Sequence, residues 1–302
     1  TKDPFYFDTE SRQMSKIQIT PFFHDPTFTV TYVVTDRATN SCAIIDPVLD
    51  YDAAAGQISH EFADKVVSYV DKNGLTLEWI LETHAHADHL TAAPYIKEKL
   101  GGLIGAGDHI RRVQSTFKAI YNLESTFPTD GSQFDQLFVD GEMITLGHLD
   151  IEVLHTPGHT PACVSYYIED AVFVGDTLFM PDYGTARADF PNGSAQTLYQ
   201  SIRKILALPE ATRMFVGHDY KSPTRDHFAW ETSVIEQRRN NIHAKDGVSQ
   251  TDFVAMREAR DATLAVPKLL LPAIQVNIRA GQMPPAEDNG KCYLKIPLTV
   301  KS

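Results

Sequence analysis

The chain has 302 residues, of which 43% are apolar and 22% are charged, and its formal net charge is −12. These values are typical of a globular protein with a sizeable core. They argue against a nucleic-acid partner, because binding to phosphates requires a basic face. No apolar run approaches the roughly 20 residues of a membrane helix. We therefore expect neither a nucleic-acid ligand nor a membrane-spanning segment.

The cysteine pattern bears on the compartment of the protein. Cys42, Cys163 and Cys292 form no C-x-x-C pair and are odd in number, which does not indicate a disulfide framework. Residues 1–4 are polar and show no secretory signal. We expect a cytoplasmic location. An organelle matrix stays open, because a leader could have been removed from a chain that does not start with Met.

The first third of the chain predicts strands and turns. Residues 28–35 and 42–46 are β-rich and flank a polar segment, which indicates a hairpin. Ser59 is a candidate N-cap for a helix that stops at Asn73-Gly74. Residues 75–81 then alternate between apolar and polar side chains, so we expect a strand that leads directly into His84.

Further elements follow the same arrangement. A helix is predicted over residues 90–100 and a second one, capped by Ser194, over 194–206. Short strands are predicted over 103–106, 151–154, 164–168, 172–174 and 214–216. Several of these strands end at loops that carry His or Asp, which is how α/β proteins place ligands at one edge of a sheet.

The last part of the chain has a different composition. Residues 225–243 and 251–260 predict helices, and a proline-rich tail follows. We expect a catalytic domain over residues 1–225, with a helical and proline-rich extension over 226–302 packed on the same domain.

A metal-binding pattern occupies residues 83–89, which read Thr-His-Ala-His-Ala-Asp-His. Imidazole and carboxylate groups on one tight loop can point to one centre, and zinc and iron accept this mixture. Further ligands are expected in the loops after other strands, where a His or Asp directly follows a glycine. The complete set of seven predicted ligand positions is His84, His86, Asp88, His89, His159, Asp176 and His218.

The motifs T-H-x-H-x-D-H, P-G-H-T, G-D-T-L and G-H-D-Y, in this order, resemble the metallo-β-lactamase superfamily. The resemblance implies an α/β fold, the αββα sandwich, here with a C-terminal helical extension. Two branches compete. Glyoxalase II thioester hydrolases use all seven positions for two metals, with the aspartate as a bridge. Glutathione persulfide dioxygenases, typified by the ethylmalonic encephalopathy protein, bind one Fe(II) through ligands that correspond to His84, His159 and Asp176.

Details of the motifs favour the dioxygenase branch. H-A-D-H-L-T at 86–91, H-T-P-G-H-T-P-A-C-V-S-Y at 155–166 and R-A-D-F at 187–190 are similar to its motifs, whereas Ala85 stands where a cysteine is frequent. The preferred hypothesis is a mononuclear Fe(II) enzyme that oxidises glutathione persulfide with O2 to sulfite and glutathione. His86, Asp88, His89 and His218 would then support the ligands or hold a second metal. The alternative is a dinuclear hydrolase of glutathione thioesters.

The resemblance also implies a substrate site. Glutathione carries two carboxylates, so cations are expected beside the metal. Arg187 is the first choice and Arg225 a further one, and Tyr220 stands where glyoxalase II-like enzymes contact glutathione. One Fe(II) per chain is implied, with a second metal or zinc left open, and a homodimer is expected by analogy only. Cys163 is predicted to be a buried, inert thiol.

Overall fold

A computed structural model describes residues 15–298, so the polar residues 1–4 lie outside the described part. The described strands are β1 (Ile17–His24), β2 (Thr29–Asp36), β3 (Ser41–Ile45), β4 (Val48–Asp52), β5 (Gln57–Ser59), β6 (Thr76–Glu82), β7 (Leu90–Thr91), β8 (Leu103–Gly107), β9 (Gln136–Phe138), β10 (Met143–Leu146), β11 (Leu149–His155), β12 (Val164–Ile168), β13 (Ala171–Phe173), β14 (Arg213–Phe215) and β15 (Glu231–Ser233). The described helices are α1 (Glu61–Lys72), α2 (Ala93–Leu100), α3 (Ile110–Ile120), α4 (Ala195–Ile205), α5 (Val234–Asn240), α6 (Gln250–Asp261) and α7 (Leu270–Asn277).

Two six-stranded mixed sheets form the centre of the molecule. The first has the order β1-β2-β3-β6-β8-β9, and the second has the order β10-β11-β12-β13-β14-β15. In the first sheet β3, β6, β8 and β9 run parallel, and in the second sheet β13 and β14 do. Parallel neighbours end at the same edge, so β6, β13 and β14 each deliver a polar loop to an edge of their sheet.

The sheets pack face to face and carry helices on their outer faces. Val34 and Ile45 of the first sheet and Val153 and Phe173 of the second belong to one buried cluster between the sheets. A second cluster joins the first sheet to α1, α2, α3 and α7. A third joins the second sheet to α4, α5 and α6. These layers confirm the predicted αββα sandwich.

Two predicted elements begin later than the sequence pattern suggests. Ser59 is not the N-cap of α1, since it belongs to β5 and the backbone N–H of Phe62 donates to Asp50 Oδ2 (2.8 Å). Leu90 and Thr91 form β7, which pairs with β4, so the helix predicted over 90–100 starts only at Ala93. In both cases a tertiary partner determines where the helix begins.

The C-terminal part differs from the prediction in two segments. The tail predicted to be proline-rich contains helix α7 (Leu270–Asn277), and residues 225–243 do not form one helix. Residues 231–233 form β15, which pairs antiparallel with β14, and the helix that follows covers only Val234–Asn240.

The cap at Ser194 is confirmed, because its side chain accepts a hydrogen bond from the N–H of Thr197. Within residues 15–298, no helix has the length and apolar character needed to cross a membrane.

Candidate metal centre

The structure brings the seven predicted ligand positions together. The loop after β6 carries His84, His86, Asp88 and His89, and loops after β11, β13 and β14 carry His159, Asp176 and His218. Six of the seven residues are buried, and Asp88 is partly buried. The first sheet therefore supplies four of the positions and the second sheet supplies three.

One half of the centre contains His84, His159 and one oxygen of Asp176. Asp176 Oδ2 lies 3.9 Å from His84 Nε2 and 3.7 Å from His159 Nε2. The ligand atoms of these three residues all lie within 4.8 Å of one another, which suits one metal ion.

The other half contains Asp88, His89, His218 and the second oxygen of Asp176. His218 Nε2 lies 3.3 Å from Asp88 Oδ2 and 3.4 Å from Asp176 Oδ1. His89 Nδ1 lies 2.9 Å from the same oxygen of Asp88. The two oxygens of Asp176 thus face two different groups of potential ligands.

Unpaired buried atoms show that the residues fit a metal. Among the described residues, His84 Nε2, His86 Nδ1, His89 Nε2 and Asp176 Oδ1 are buried without a hydrogen-bond partner. A buried polar atom that lacks a partner costs about 1–3 kcal/mol. Four such atoms in one cluster need an explanation, and coordination to metal ions supplies it.

The other ring nitrogens of the histidines are held by nearby oxygens. His159 Nδ1 lies 2.8 Å from the carbonyl oxygen of Arg187, and His218 Nδ1 lies 3.2 Å from that of Phe28. A histidine that ligates a metal usually donates its second N–H in this way, which fixes the orientation of the ring.

His86 is held by two buried carboxylates that the sequence analysis missed. Its Nε2 lies 3.0 Å from Asp46 Oδ1 and 3.3 Å from Glu82 Oε2, which leaves Nδ1 to face the centre. Asp46 also accepts from the N–H and hydroxyl of Thr83. Asp46 could have been selected from the sequence, because it stands at the end of the predicted 42–46 strand and the predicted ligands also follow strand ends.

The pKa values of His84, His86, His89 and His218 divide into two groups. Burial lowers the pKa of His84 well below its usual value and that of His89 to about 4. Burial alone would also lower the other two, but Asp46 and Glu82 raise the pKa of His86, and Asp176 and Asp88 raise that of His218 to about 9. His84 and His89 are therefore neutral at pH 7, whereas a metal must displace a proton from His218.

Gly158 allows the loop with His159 to approach helix α4. Its φ is +136°, and a Cβ at this position would lie 2.3 Å from backbone atoms of Leu198. A larger residue at this position would push His159 away from Asp176.

A cavity of about 250 Å³ opens beside the metal centre. Asp88, His159 and Asp176 form its floor. Its walls carry an aromatic group and a basic group, namely Phe179, Tyr183 and Tyr220, and Arg187, Arg257 and Arg260. The cavity therefore offers apolar surface and positive charge next to the potential ligands, as expected for a substrate pocket.

The two arginines predicted to bind substrate make internal ion pairs. Arg187 lines the cavity, but it donates to both oxygens of Asp189 (2.5 and 2.7 Å) and to the carbonyl of Ala265 (2.6 Å). Arg225 is not among the lining residues and pairs with Asp182 and Asp219. Their donors are occupied, so their role as substrate contacts stays a prediction.

Helix α6 supplies two arginines that the sequence analysis did not select. Arg257 is buried and pairs with Asp261 (2.7 Å), which in turn accepts from the N–H of Ala188 in the cavity loop. Arg260 is exposed at the cavity and makes no ion pair with another residue in the range 15–298. Its position on a helix about 40 residues beyond His218 gave no local signal.

Tyr220 lines the cavity, and its contact with glutathione stays a prediction. Its ring stacks on His218 at 5.6 Å between centroids. Although 38% of the residue is exposed, its hydroxyl end is desolvated beside Asp176 and Asp88, which raises the pKa of Tyr220 well above 10. The phenol therefore keeps its proton and can donate a hydrogen bond.

Cys163 is buried, as predicted, and burial raises the pKa of its thiol to about 12. Its Sγ lies 3.1 Å from the hydroxyl of Thr160. A thiol in this state is a poor nucleophile at neutral pH.

His243, buried behind the cavity, gives a prediction for acid stability. Its Nδ1 accepts from the N–H of Thr185 (3.1 Å), and burial together with Arg257 lowers the pKa of His243 to about 4. The unfolded chain takes up a proton below pH 6.5 and the folded chain does not, so the free energy of unfolding falls between pH 6.5 and 4. From pH 7 to 4.5 we expect urea denaturation to show a loss of roughly 2–3 kcal/mol more in the wild type than in His243→Gln. Equal losses in the two proteins would contradict this prediction.

Comparisons with known proteins agree with the geometry. The model of the metallo-beta-lactamase superfamily matches residues 24–218. The chain belongs to this superfamily. "Glyoxylase B2" of Dictyostelium discoideum is 55% identical over 94% of this chain and 97% of that protein. A mitochondrial "Persulfide dioxygenase ETHE1" of Bos taurus is 30% identical over 87% of this chain and 89% of that protein.

A solved structure supports the fold. The crystal structure of ETHE1 from Myxococcus xanthus has a TM-score of 0.70 and 30% sequence identity, and the match covers 88% of this chain and all of that one. The superfamily predicted from the sequence motifs is confirmed. At the level of the branch, the relative named for a glyoxylase is considerably more similar than the persulfide dioxygenases.

Proposed function

We propose that this enzyme is a dinuclear metallo-hydrolase of glutathione thioesters. The proposal is based mainly on the position of Asp176, whose Oδ2 faces His84 and His159 and whose Oδ1 faces His218. A carboxylate with one oxygen in each of two ligand groups is suited to bridge two metal ions. Of the two hypotheses from the sequence, only the hydrolase requires such a bridge.

The remaining ligands divide between the two halves. His84 Nε2 and His159 Nε2 would hold one ion with Asp176, and Asp88 and His218 Nε2 would hold the other. His86 Nδ1 and His89 Nε2, which are buried without a partner, would complete the ligand sets. Two divalent ions bound in this way polarise a carbonyl group and lower the pKa of water, which is the chemistry that thioester hydrolysis needs.

Residues of the cavity would bind and orient the substrate. The aromatic group formed by Phe179, Tyr183 and Tyr220 offers a surface for the acyl or thiol part. The protonated hydroxyl of Tyr220 can donate to a substrate oxygen. Arg260 provides a cation without an internal partner among the described residues, which suits a carboxylate of glutathione.

The comparisons support the same choice. The identity to the glyoxylase B2 relative is 55%, and the identity to the bovine persulfide dioxygenase is 30%, over similar shares of the chain. The motif details that favoured the dioxygenase in the sequence therefore carry less weight than the overall similarity.

A mononuclear Fe(II) persulfide dioxygenase is the second candidate. His84, His159 and Asp176 form a group of two histidines and one carboxylate, which is the ligand set of many non-haem iron oxygenases. An Fe(II) ion there would supply open positions for O2 chemistry. The ETHE1 relatives support this candidate at the level of 30% identity.

The test compares two loaded forms of the same protein. Zinc-loaded protein is assayed for cleavage of S-lactoylglutathione, and anaerobically Fe(II)-loaded protein is assayed for O2 uptake and sulfite with glutathione persulfide. We expect two metals per chain and rapid thioester cleavage. One metal per chain, with O2 uptake matched by sulfite and no thioester cleavage, would replace the hydrolase by the dioxygenase.

Arg260 gives a prediction about substrate binding. Arg260→Ala should raise KM for the glutathione substrate about tenfold with little change in kcat, because one charge-assisted hydrogen bond is lost far from the reacting bond. Arg239→Ala removes an exposed arginine of α5 that does not line the cavity and serves as the control. Steady-state kinetics that show the same KM for both variants would remove Arg260 from the substrate site.

A further inference from the structure

A single asparagine of the C-terminal extension contacts the loop that carries four of the seven ligand positions. Asn277 is the last residue of α7, and its side chain is buried. Its Nδ2 donates to the carbonyl of His86 (2.8 Å) and to the carbonyl of His89 (2.8 Å), and its Oδ1 accepts from the N–H of Thr91 (2.9 Å). These partners lie 186 to 191 positions away in the chain.

The three contacts use the hydrogen-bonding capacity of the amide in a specific way. An asparagine side chain has two N–H donors and one carbonyl acceptor. Here both donors meet carbonyl oxygens and the acceptor meets an N–H, so the orientation of the amide is fixed by its partners. All three loop groups belong to buried residues, and loss of the amide would remove a hydrogen-bond partner from each.

The two carbonyls belong to two different potential ligands of the metal centre. His86 falls in one group of potential ligands with Asp88 and His218, and its Nδ1 is buried without a partner. His89 Nδ1 lies 2.9 Å from Asp88 Oδ2, and its Nε2 is also buried without a partner. One amide that holds both backbones fixes the distance between the two ligands. It also acts through Thr91, whose hydroxyl donates to Glu82 Oε1 (2.5 Å), while Glu82 Oε2 lies 3.3 Å from His86 Nε2.

Helix α7 is a firm support for this contact. Ala273, Ile274 and Val276 are fully buried in the cluster beneath the first sheet. The carbonyl of Ile278, directly after Asn277, accepts from Gln114 Nε2 of α3 (2.9 Å). The position of Asn277 is therefore set by the core and not by the loop that it holds.

We infer that Asn277 is a positioning residue for two potential metal ligands, His86 and His89, and that the C-terminal extension is required for tight metal binding. The inference rests on the metal site of the proposed function, but it holds equally for one metal or two. Partners that orient metal ligands from outside typically change metal affinity 10–100-fold when they are replaced.

Gln275 of the same helix provides a matched control. It is buried to a similar degree, its Nε2 donates to the carbonyls of Leu271 (2.7 Å) and Lys295 (2.8 Å), and its Oε1 accepts from the N–H of Lys295 (2.8 Å). None of these partners belongs to the metal loop. Asn277→Asp and Gln275→Glu thus each replace two donors by a carboxylate oxygen at constant size.

The experiment measures metal affinity by competition with a chromogenic chelator, using Zn²⁺ and anaerobic Fe²⁺ in separate titrations. We expect Asn277→Asp to bind every metal equivalent 10–100-fold more weakly than the wild type. Gln275→Glu should stay within about twofold, although its melting temperature should also fall. Equal affinities in the two variants would overturn the inference.

Two further measurements keep the outcome clear. If Asn277→Asp lacks the native circular dichroism spectrum, Asn277→Ala is used instead, because it removes both donors without adding a charge. Its metal affinity is then compared with that of Gln275→Ala. A wild type that binds metal but does not cleave thioesters would contradict the proposed function and leave the result for Asn277 standing.

Discussion

Asp176→Asn should remove both metal ions and lower thioester cleavage more strongly than any other single change in the cavity. The amide keeps the shape of the side chain but loses its charge, and it offers only one oxygen where two are needed. Because each oxygen faces a separate ligand group, both halves lose a ligand at once. Replacing a partner outside the ligand shell costs 10–100-fold in metal affinity, so the loss for a shared ligand should exceed about 100-fold.

The check is metal content after dialysis, together with the rate of S-lactoylglutathione cleavage. Asp170→Asn is the control, since Asp170 lies in the turn between β12 and β13 of the second sheet and pairs with Arg213 outside the metal centre. An Asp176→Asn protein that retains one ion at full affinity would show that Asp176 does not bridge.

His218→Ala should distinguish the two candidate functions. In a dinuclear centre it removes a ligand from the half with Asp88 and His89, so we expect the metal content to fall from two ions to one. Thioester cleavage should fall by at least about 100-fold, because both ions take part in the chemistry. In a mononuclear centre at His84, His159 and Asp176, the metal content would stay at one ion.

The measurement is elemental analysis of the wild type and the variant, purified in parallel. His155→Ala is a suitable control, since His155 belongs to neither ligand group and its Nε2 lies 3.0 Å from the carbonyl oxygen of Pro161. One ion per chain in both the wild type and the variant would favour the mononuclear alternative.

The metal centre was accessible from the sequence because its signals are local. Each ligand follows a strand end, and the glycines before Asp176 and His218 mark tight turns, so the seven positions could be selected without tertiary information. The sandwich followed from the same motifs by resemblance. Whether Asp176 bridges could not be predicted, because this depends on the directions of its two oxygens relative to both sheets.

The residues that could not be predicted from the sequence act through contacts between segments that are distant in the chain. Asp46 and Glu82 support His86 from the end of β3 and from β6, and Asn277 reaches the same loop from α7. Arg260 reaches the cavity only because α6 packs against α4. Conversely, Arg187 and Arg225 were selected as arginines without ion-pair partners. In the structure they pair with Asp189 and Asp182, and no motif indicated these ion pairs.

The ligands come from both sheets, which has a consequence for assembly of the protein. A chain in which only the first sheet has formed presents His84, His86, Asp88 and His89 but lacks the three positions that the second sheet supplies, His159, Asp176 and His218. Strong capture of metal thus requires the two halves of the sandwich to have docked. Metal binding then distinguishes completely folded molecules from partly folded ones, since molecules in which the two sheets have not packed together would not bind metal tightly. Metal bound by ligands from both sheets would link the two halves of the sandwich, so resistance to heat and resistance to metal loss should rise together.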